Sequence, residues 1–155
     1  MITCILSDFS RVLLFPKDSS YAGSLNKLNR ELSTKPGYTL LDHFYLNEEL
    51  LNYLHALKEK VDLCIFTSET IQESPELIPH ITPIFRKVYS ALQFSTTKKS
   101  PEAYKFILED LGKPPGEVLF IDDSQAHIQI ALTIGMQAIL YQSNEQLFSE
   151  LEKRL

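Results

Sequence analysis

Four short stretches of this sequence hold residue types that can do chemistry together. Asp8 lies in ILSDFSRVLL, Thr67 and Ser68 in LCIFTSET, Lys98 and Lys99 in KKSPEAY, and Asp122 with Asp123 in VLFIDDS. Ionised carboxylates brought together repel and raise one another's pKa, and a cation relieves that strain. Hard divalent ions take oxygen ligands, and Mg²⁺ typically uses one or two carboxylates, carbonyls, waters and a substrate phosphate. Lys98 or Lys99 adds positive charge, and Thr67-Ser68 offers hydroxyls and backbone N–H groups to phosphate oxygens. Taken singly, each residue has an ordinary explanation: a strand-end turn, a helix cap, a solvated lysine. What raises them above that is where the chain must place them.

The elements that do the placing are visible as short apolar runs. Ile2–Ser7, Val61–Phe66, Val118–Ile121 and Ala138–Tyr141 are unalternated and rich in Ile, Val, Leu and Phe, with Arg86–Ser90 a further candidate. Such runs predict strands buried on both faces. Helical patterns lie between them. Asn47 is an N-cap followed by Glu48 and Glu49, with Leu50, Leu51, Leu54 and Leu57 on one face. Ser100-Pro101 starts a second helix that Gly112 stops, with Ala103, Phe106, Ile107 and Leu111 as its apolar stripe. Ser124 caps a third, which carries Ala126, Ile130, Ala131 and Ile134 and ends at Gly135. Ser143 with Gln146 fits a capping box before Leu147, Leu151 and Leu155. Strand–helix alternation predicts an α/β fold, a doubly wound Rossmann-like parallel sheet with helices on both faces. In such sheets ligands bind beyond the carboxyl ends of the strands, where Asp8, Thr67, Asp122 and Asp123 fall.

With these positions assigned, the chain resembles the haloacid dehalogenase (HAD) superfamily of hydrolases over most of its length. Asp8 matches the first-motif nucleophile, Thr67 the second-motif Thr/Ser, Lys98 the third-motif lysine, and Asp122-Asp123 in VLFIDDSQAHIQIALTIGMQAILY the acidic fourth motif. The resemblance implies a Mg²⁺-dependent phosphate-ester hydrolase working through an aspartyl-phosphate on Asp8. It implies Asp8, the Ser10 carbonyl and Asp123 as metal ligands with Asp122 in support. Thr67, Ser68 and Lys98 would bind the substrate, and Thr67 and Lys98 would also serve catalysis. Receiver domains of two-component signalling use similar residues, but there the acidic pair comes first. Here the single Asp8 is first and the pair last, which favours the HAD reading.

The first motif departs from the family pattern. Phosphatases of the superfamily usually read Asp-x-Asp-Gly, and this chain reads Asp8-Phe9-Ser10-Arg11. The second Asp normally protonates the leaving alkoxide, and general acid–base help is worth about 10²–10⁴-fold. Three expectations follow: good leaving groups, chemistry that does not use the second Asp, or an inactive HAD-fold protein that binds metal or phosphate and interacts with a partner. Arg11 in place of Gly is strained if the position needs φ > 0.

The rest of the sequence bounds the reading. The 155 residues suit one domain, 44% hydrophobic and 23% charged, with 15 Lys+Arg against 20 Asp+Glu. A net charge of −5 disfavours broad nucleic-acid or anionic-membrane binding. No apolar run approaches the roughly 20 residues of a spanning helix, and no basic segment precedes the first strand. The expectation is a cytoplasmic protein whose partner is a small phosphorylated substrate or a phosphorylated macromolecule. Cys4 and Cys64 read as core residues. The four histidines show no metal-ligand spacing to one another, so none is assigned to a site. Residues 14–44 are left for a minimal cap or flap, with a short helix from Ser24 to Leu32, which implies a comparatively open site. Within that segment Tyr21 and Arg30 read as structural. Ser74–Pro83, with three prolines, predicts a broken helix or loop.

Overall fold

A computed structural model describes residues 1–155. In chain order the elements are β1 (Cys4–Ser7), β2 (Leu14–Pro16), α1 (Leu25–Leu32), β3 (Phe44–Leu46), α2 (Glu48–Leu57), β4 (Asp62–Thr67), α3 (Ile78–Ile81), β5 (Lys87–Ser90), α4 (Pro101–Leu111), β6 (Val118–Asp122), α5 (Gln125–Thr133), β7 (Gln137–Leu140) and α6 (Asn144–Glu152). Five strands form one parallel sheet in the order β5-β4-β1-β6-β7. All four residues of β1 and all five of β6 are buried, as strands covered on both faces must be. Ser7 is level with Ile65 on one side and Ile121 on the other, so the chain leaves β1, β4 and β6 at one edge of the sheet.

Side chains alternate across the sheet and divide the core in two. Ile5, Ile65 and Ile121 face Leu50 and Leu54 of α2 and Leu147 and Leu151 of α6. Leu6, Phe66 and Phe120 face Tyr104 and Ile107 of α4 and Ile128 and Ala131 of α5, with the free thiols Cys4 and Cys64 on this side. Each fully buried Leu or Ile contributes about 1.5–3 kcal/mol. No helix is long and apolar enough to cross a membrane.

Caps set the helix starts. Asn47 Oδ1 accepts from Leu50 N–H at 3.3 Å, and its amide donates to the Val12 carbonyl at 3.0 Å and to Asn144 Oδ1 at 2.8 Å. One side chain thus starts α2 and ties it to the turn after β1 and to α6. Ser143 Oγ accepts from Gln146 N–H at 3.2 Å. Ser124 occupies the cap position of α5 without a side-chain cap bond; instead its N–H donates to Asp122 Oδ1 at 2.8 Å.

Two apolar stripes differ from expectation. In α4 the buried residues are Ala103, Tyr104, Ile107 and Leu108, and Phe106 is 47% exposed. Tyr104 wins the inner face because its hydroxyl donates to the Lys98 carbonyl at 2.8 Å, which leaves Phe106 at the rim against Phe94. In α5, Ile128 and Ala131 are buried and Ala126 is exposed.

The segment after β1 forms a small layer of its own. β2 and β3 pair antiparallel, and α1 lies between them in sequence, capped by Ser24 Oγ on Lys27 N–H at 3.3 Å. Leu25, Leu40 and Phe44 anchor the layer in the core. The region of three prolines holds only the short α3, as its composition predicts.

Candidate active site

At the carboxyl edge of the sheet, the Lys98 side chain is 2% exposed and sits between two acids. Its Nζ donates to Asp8 Oδ1 at 2.7 Å, Asp122 Oδ2 at 2.6 Å and the Phe66 carbonyl at 3.0 Å, which uses all three donors. The ring faces of Phe66 and Phe120 lie 5.1 and 5.3 Å from the ammonium. Lys99 is exposed, so the geometry distinguishes the two lysines. Tyr104, by holding the Lys98 carbonyl, fixes which one turns inward.

Asp8 follows β1, with its N–H bonded to the Ile121 carbonyl at 2.7 Å. Its Oδ1 also accepts from Phe9 N–H at 2.8 Å, whereas Oδ2 makes no hydrogen bond within the chain. Burial pushes the Asp8 carboxyl up to about 7, with Lys98 opposing the rise. Burial acts on Asp122 too, but His127 and Lys98 outweigh it and hold that carboxyl below the usual range. Lys98 is held above the usual lysine range: desolvation opposes its charge, and the two carboxylates more than offset that.

His127, half-buried on the first turn of α5, places Nδ1 3.2 and 3.1 Å from the two Asp122 oxygens. No histidine lies at a metal-ligand spacing from another, so spacing among histidines does not reveal His127. The usable signal is a histidine one helical turn beyond the acidic pair, four residues after Asp123.

Oxygens of Asp8, Asp122 and Asp123 come within 4.8 Å of one another. Both Asp122 oxygens are already engaged by Lys98, His127 and Ser124 N–H, which fits Asp122 to a supporting part. Asp123 is exposed, and burial with the Asp122 charge raises its carboxyl. The Ser10 carbonyl accepts no hydrogen bond within the chain, and Ser10 Oγ is buried with no partner. Two carboxylates and a free carbonyl form a hard oxygen donor set, so the residues fit a cation such as Mg²⁺.

These groups border a cavity of about 170 Å³, of whose 11 lining residues only Leu25 is apolar. Thr67 and Ser68 reach it from the end of β4, and their hydroxyls make no hydrogen bonds within the chain. Gly23, Ser24 and Asn26 reach it from the layer around α1. That layer is pinned over the site: Asn26 Oδ1 accepts from Ile71 N–H at 3.0 Å, and Arg30 pairs with Glu69 at 2.9 Å. Tyr21 donates its hydroxyl to the Ser24 carbonyl at 2.9 Å, so Tyr21 and Arg30 both hold structure. Arg11 has φ of 62°, a left-handed conformation that costs an L-residue about 1–2 kcal/mol.

Comparison with known proteins identifies the family and the fold. A family model described as haloacid dehalogenase-like hydrolase matches residues 17–141, a span that begins after Asp8 and Ser10. Bifunctional epoxide hydrolase 2 of Rattus norvegicus is 30% identical over 115 residues, covering 70% of this chain and 21% of that protein. The chain spans about a fifth of the length of such relatives. Enolase-phosphatase E1 of Sorangium cellulosum is 34% identical over 82 residues, 51% of this chain and 35% of that protein. Among solved structures, a HAD family enzyme from Bacteroides thetaiotaomicron in complex with magnesium and inorganic phosphate superposes with a TM-score of 0.69 at 18% identity, over 96% of this chain and 100% of that one. A HAD-superfamily hydrolase from Geobacter sulfurreducens gives 0.68 at 18% identity, over 92% and 88%. At these identities the structures speak for a shared fold.

Proposed function

The chain belongs to the haloacid dehalogenase-like hydrolases, and on that footing we propose that it hydrolyses phosphate esters of small molecules at Asp8 in the presence of Mg²⁺. The observation that carries the reading is the buried ammonium of Lys98, which binds one Asp8 oxygen and leaves the other free. Asp8, Asp123 and the Ser10 carbonyl would hold Mg²⁺, with Asp122 in support. Bound there, the ion supplies Lewis-acid polarisation of the phosphoryl group.

Asp8 Oδ2 attacks phosphorus, the ester P–O bond breaks, and the leaving oxygen departs with the bonding pair. Water then attacks the aspartyl-phosphate and releases inorganic phosphate, returning Asp8. Lys98 offsets charge on Asp8 and on the phosphoryl oxygens, which the Thr67 hydroxyl and the Ser68 hydroxyl and N–H hold. Residues 14–44 act as a small flap over the cavity.

Ser10 stands where the family has its acid, and the other carboxylates of the cavity are engaged elsewhere, Asp8 and Asp123 toward the cation and Glu69 with Arg30. The substrates are therefore esters whose leaving group departs without a proton. The same residue favours a second reading, a binding protein without turnover. Hydrolysis of para-nitrophenyl phosphate and of an alkyl phosphate, with Mg²⁺ and with EDTA, separates them. The expected result is Mg²⁺-dependent turnover of the nitrophenyl ester and slower turnover of the alkyl ester by about 10²–10⁴-fold. Ser10→Asp should narrow that gap. Equal rates would overturn the missing-acid argument, and no turnover of either ester would favour the binding reading.

A further inference from the structure

Arg11 is the feature of the first turn that hydrolysis alone leaves unused. Its backbone sits at φ 62°, where glycine would be free of strain, so the side chain is kept against a conformational cost. Only Nη2 is engaged: it donates to the Tyr21 carbonyl at 2.9 Å and the Gly23 carbonyl at 2.8 Å, on the flap that borders the cavity. Nη1 and Nε make no hydrogen bond within the chain and are not buried, and no carboxylate pairs with the guanidinium.

The other charges around the cavity are already committed. Glu69 is matched by Arg30, and Lys98 by Asp8 and Asp122. Asp123 belongs to the cation set, and Asp8 is shared between that set and the attack on phosphorus. Arg11 therefore contributes the one cation of the cavity lining that lacks an anionic partner. A guanidinium is a planar fork, and one with a free edge matches carboxylate or phosphate oxygens. The flap carbonyls fix the plane of this one in advance, so little side-chain freedom remains to be lost when an anion binds.

We propose that Arg11 forms an anion subsite beside the phosphoryl position, and that the substrate carries a second anionic group, a carboxylate or a further phosphate, on its leaving group. This rests on the phosphate-ester reading of the site. It also makes Arg11, rather than any residue shared with the family motif, the determinant of which ester binds.

The test uses rigid phosphonates, so that binding is read without turnover. Calorimetry in excess Mg²⁺ compares phenylphosphonate with 3-carboxyphenylphosphonate and 1,3-phenylenediphosphonate. The wild-type protein should bind at least one of the charged pair about tenfold or more tightly than phenylphosphonate, the range of one charge-assisted contact. Which of the two gains distinguishes carboxylate from phosphate. The preference should fall to about onefold in Arg11→Met, which keeps side-chain length, and in Arg11→Gly, which suits the positive φ and guards against a folding defect. Hydrolysis of para-nitrophenyl phosphate is measured on the same sample. Hydrolysis without any preference, or a preference that survives in both variants, overturns the subsite and leaves the hydrolase reading intact. A preference without hydrolysis supports the subsite and overturns the hydrolase reading. No phosphonate binding overturns both.

Discussion

Replacing Lys98 by methionine removes the ammonium and keeps an apolar stem between Phe66 and Phe120. Asp8 and Asp122 are then left facing each other, buried and without their cation. Breaking a buried ion pair by deleting one partner costs about 3–5 kcal/mol, because an uncompensated charge stays behind. For a domain of this size each kcal/mol moves the melting temperature by about 2–4 °C, so the variant should melt roughly 6–20 °C below the wild type in metal-free buffer. Proton uptake moderates the loss. The Asp8 carboxyl already sits at about 7 with Lys98 in place and rises further without it, while Asp122 loses one of the two cationic partners that hold it below the usual range. A carboxyl with a higher pKa folded than unfolded binds more protons in the native state, so stability falls as pH rises through that range. The gap between wild type and variant should therefore be smaller at pH 5 than at pH 8. Thermal melts at the two pH values, in EDTA, read both effects. Melting within about 2 °C of the wild type at pH 8 would refute the view of an ionised, mutually compensated cluster.

Two further outcomes follow from the geometry. Thr67→Val keeps shape and removes a hydroxyl with no partner inside the chain, so the melting temperature should move by no more than a few degrees. Its affinity for inorganic phosphate in the presence of Mg²⁺, read by calorimetry, should fall about tenfold. Asn47→Ala removes the α2 cap together with the bonds to Val12 and Asn144, and chemical denaturation should show a loss of about 2 kcal/mol or more.

Much of the fold was legible because a sheet buried on both faces leaves a plain mark, short unbroken apolar runs that end in polar residues. Asp8, Thr67 and Asp122 fell at one edge by that logic, and the parallel register places them there. Arg11 was legible as a condition: an arginine where the family pattern has glycine is strained if the backbone takes a positive φ, and it does. Lys98 and Lys99 are alike by type; the match to the third motif singled out Lys98, but not the bond from the Tyr104 hydroxyl to the Lys98 carbonyl that accompanies its inward turn. The same hydroxyl misled the α4 stripe, because hydropathy ranks Phe106 above Tyr104 and takes no account of a buried hydrogen bond. Asn47 was legible as the cap of α2, but its longer-range bonds were not, and neither was the pairing of His127, for a related reason. These partners are chosen by tertiary contact, Asp122 for His127 and Val12 with Asn144 for Asn47, and no periodicity records such contacts.

The central claim is that Asp8 takes the phosphoryl group onto its own carboxylate. Acid-quenching the protein during turnover of para-nitrophenyl phosphate with Mg²⁺, followed by borohydride reduction and peptide mass spectrometry, tests it most directly. An acyl phosphate is reduced to the alcohol, so the account predicts homoserine at position 8 in the wild-type protein, dependent on Mg²⁺ and absent in Asp8→Asn, which should also lose turnover. Turnover that persists in Asp8→Asn, or reduction at another carboxylate in place of Asp8, would contradict it.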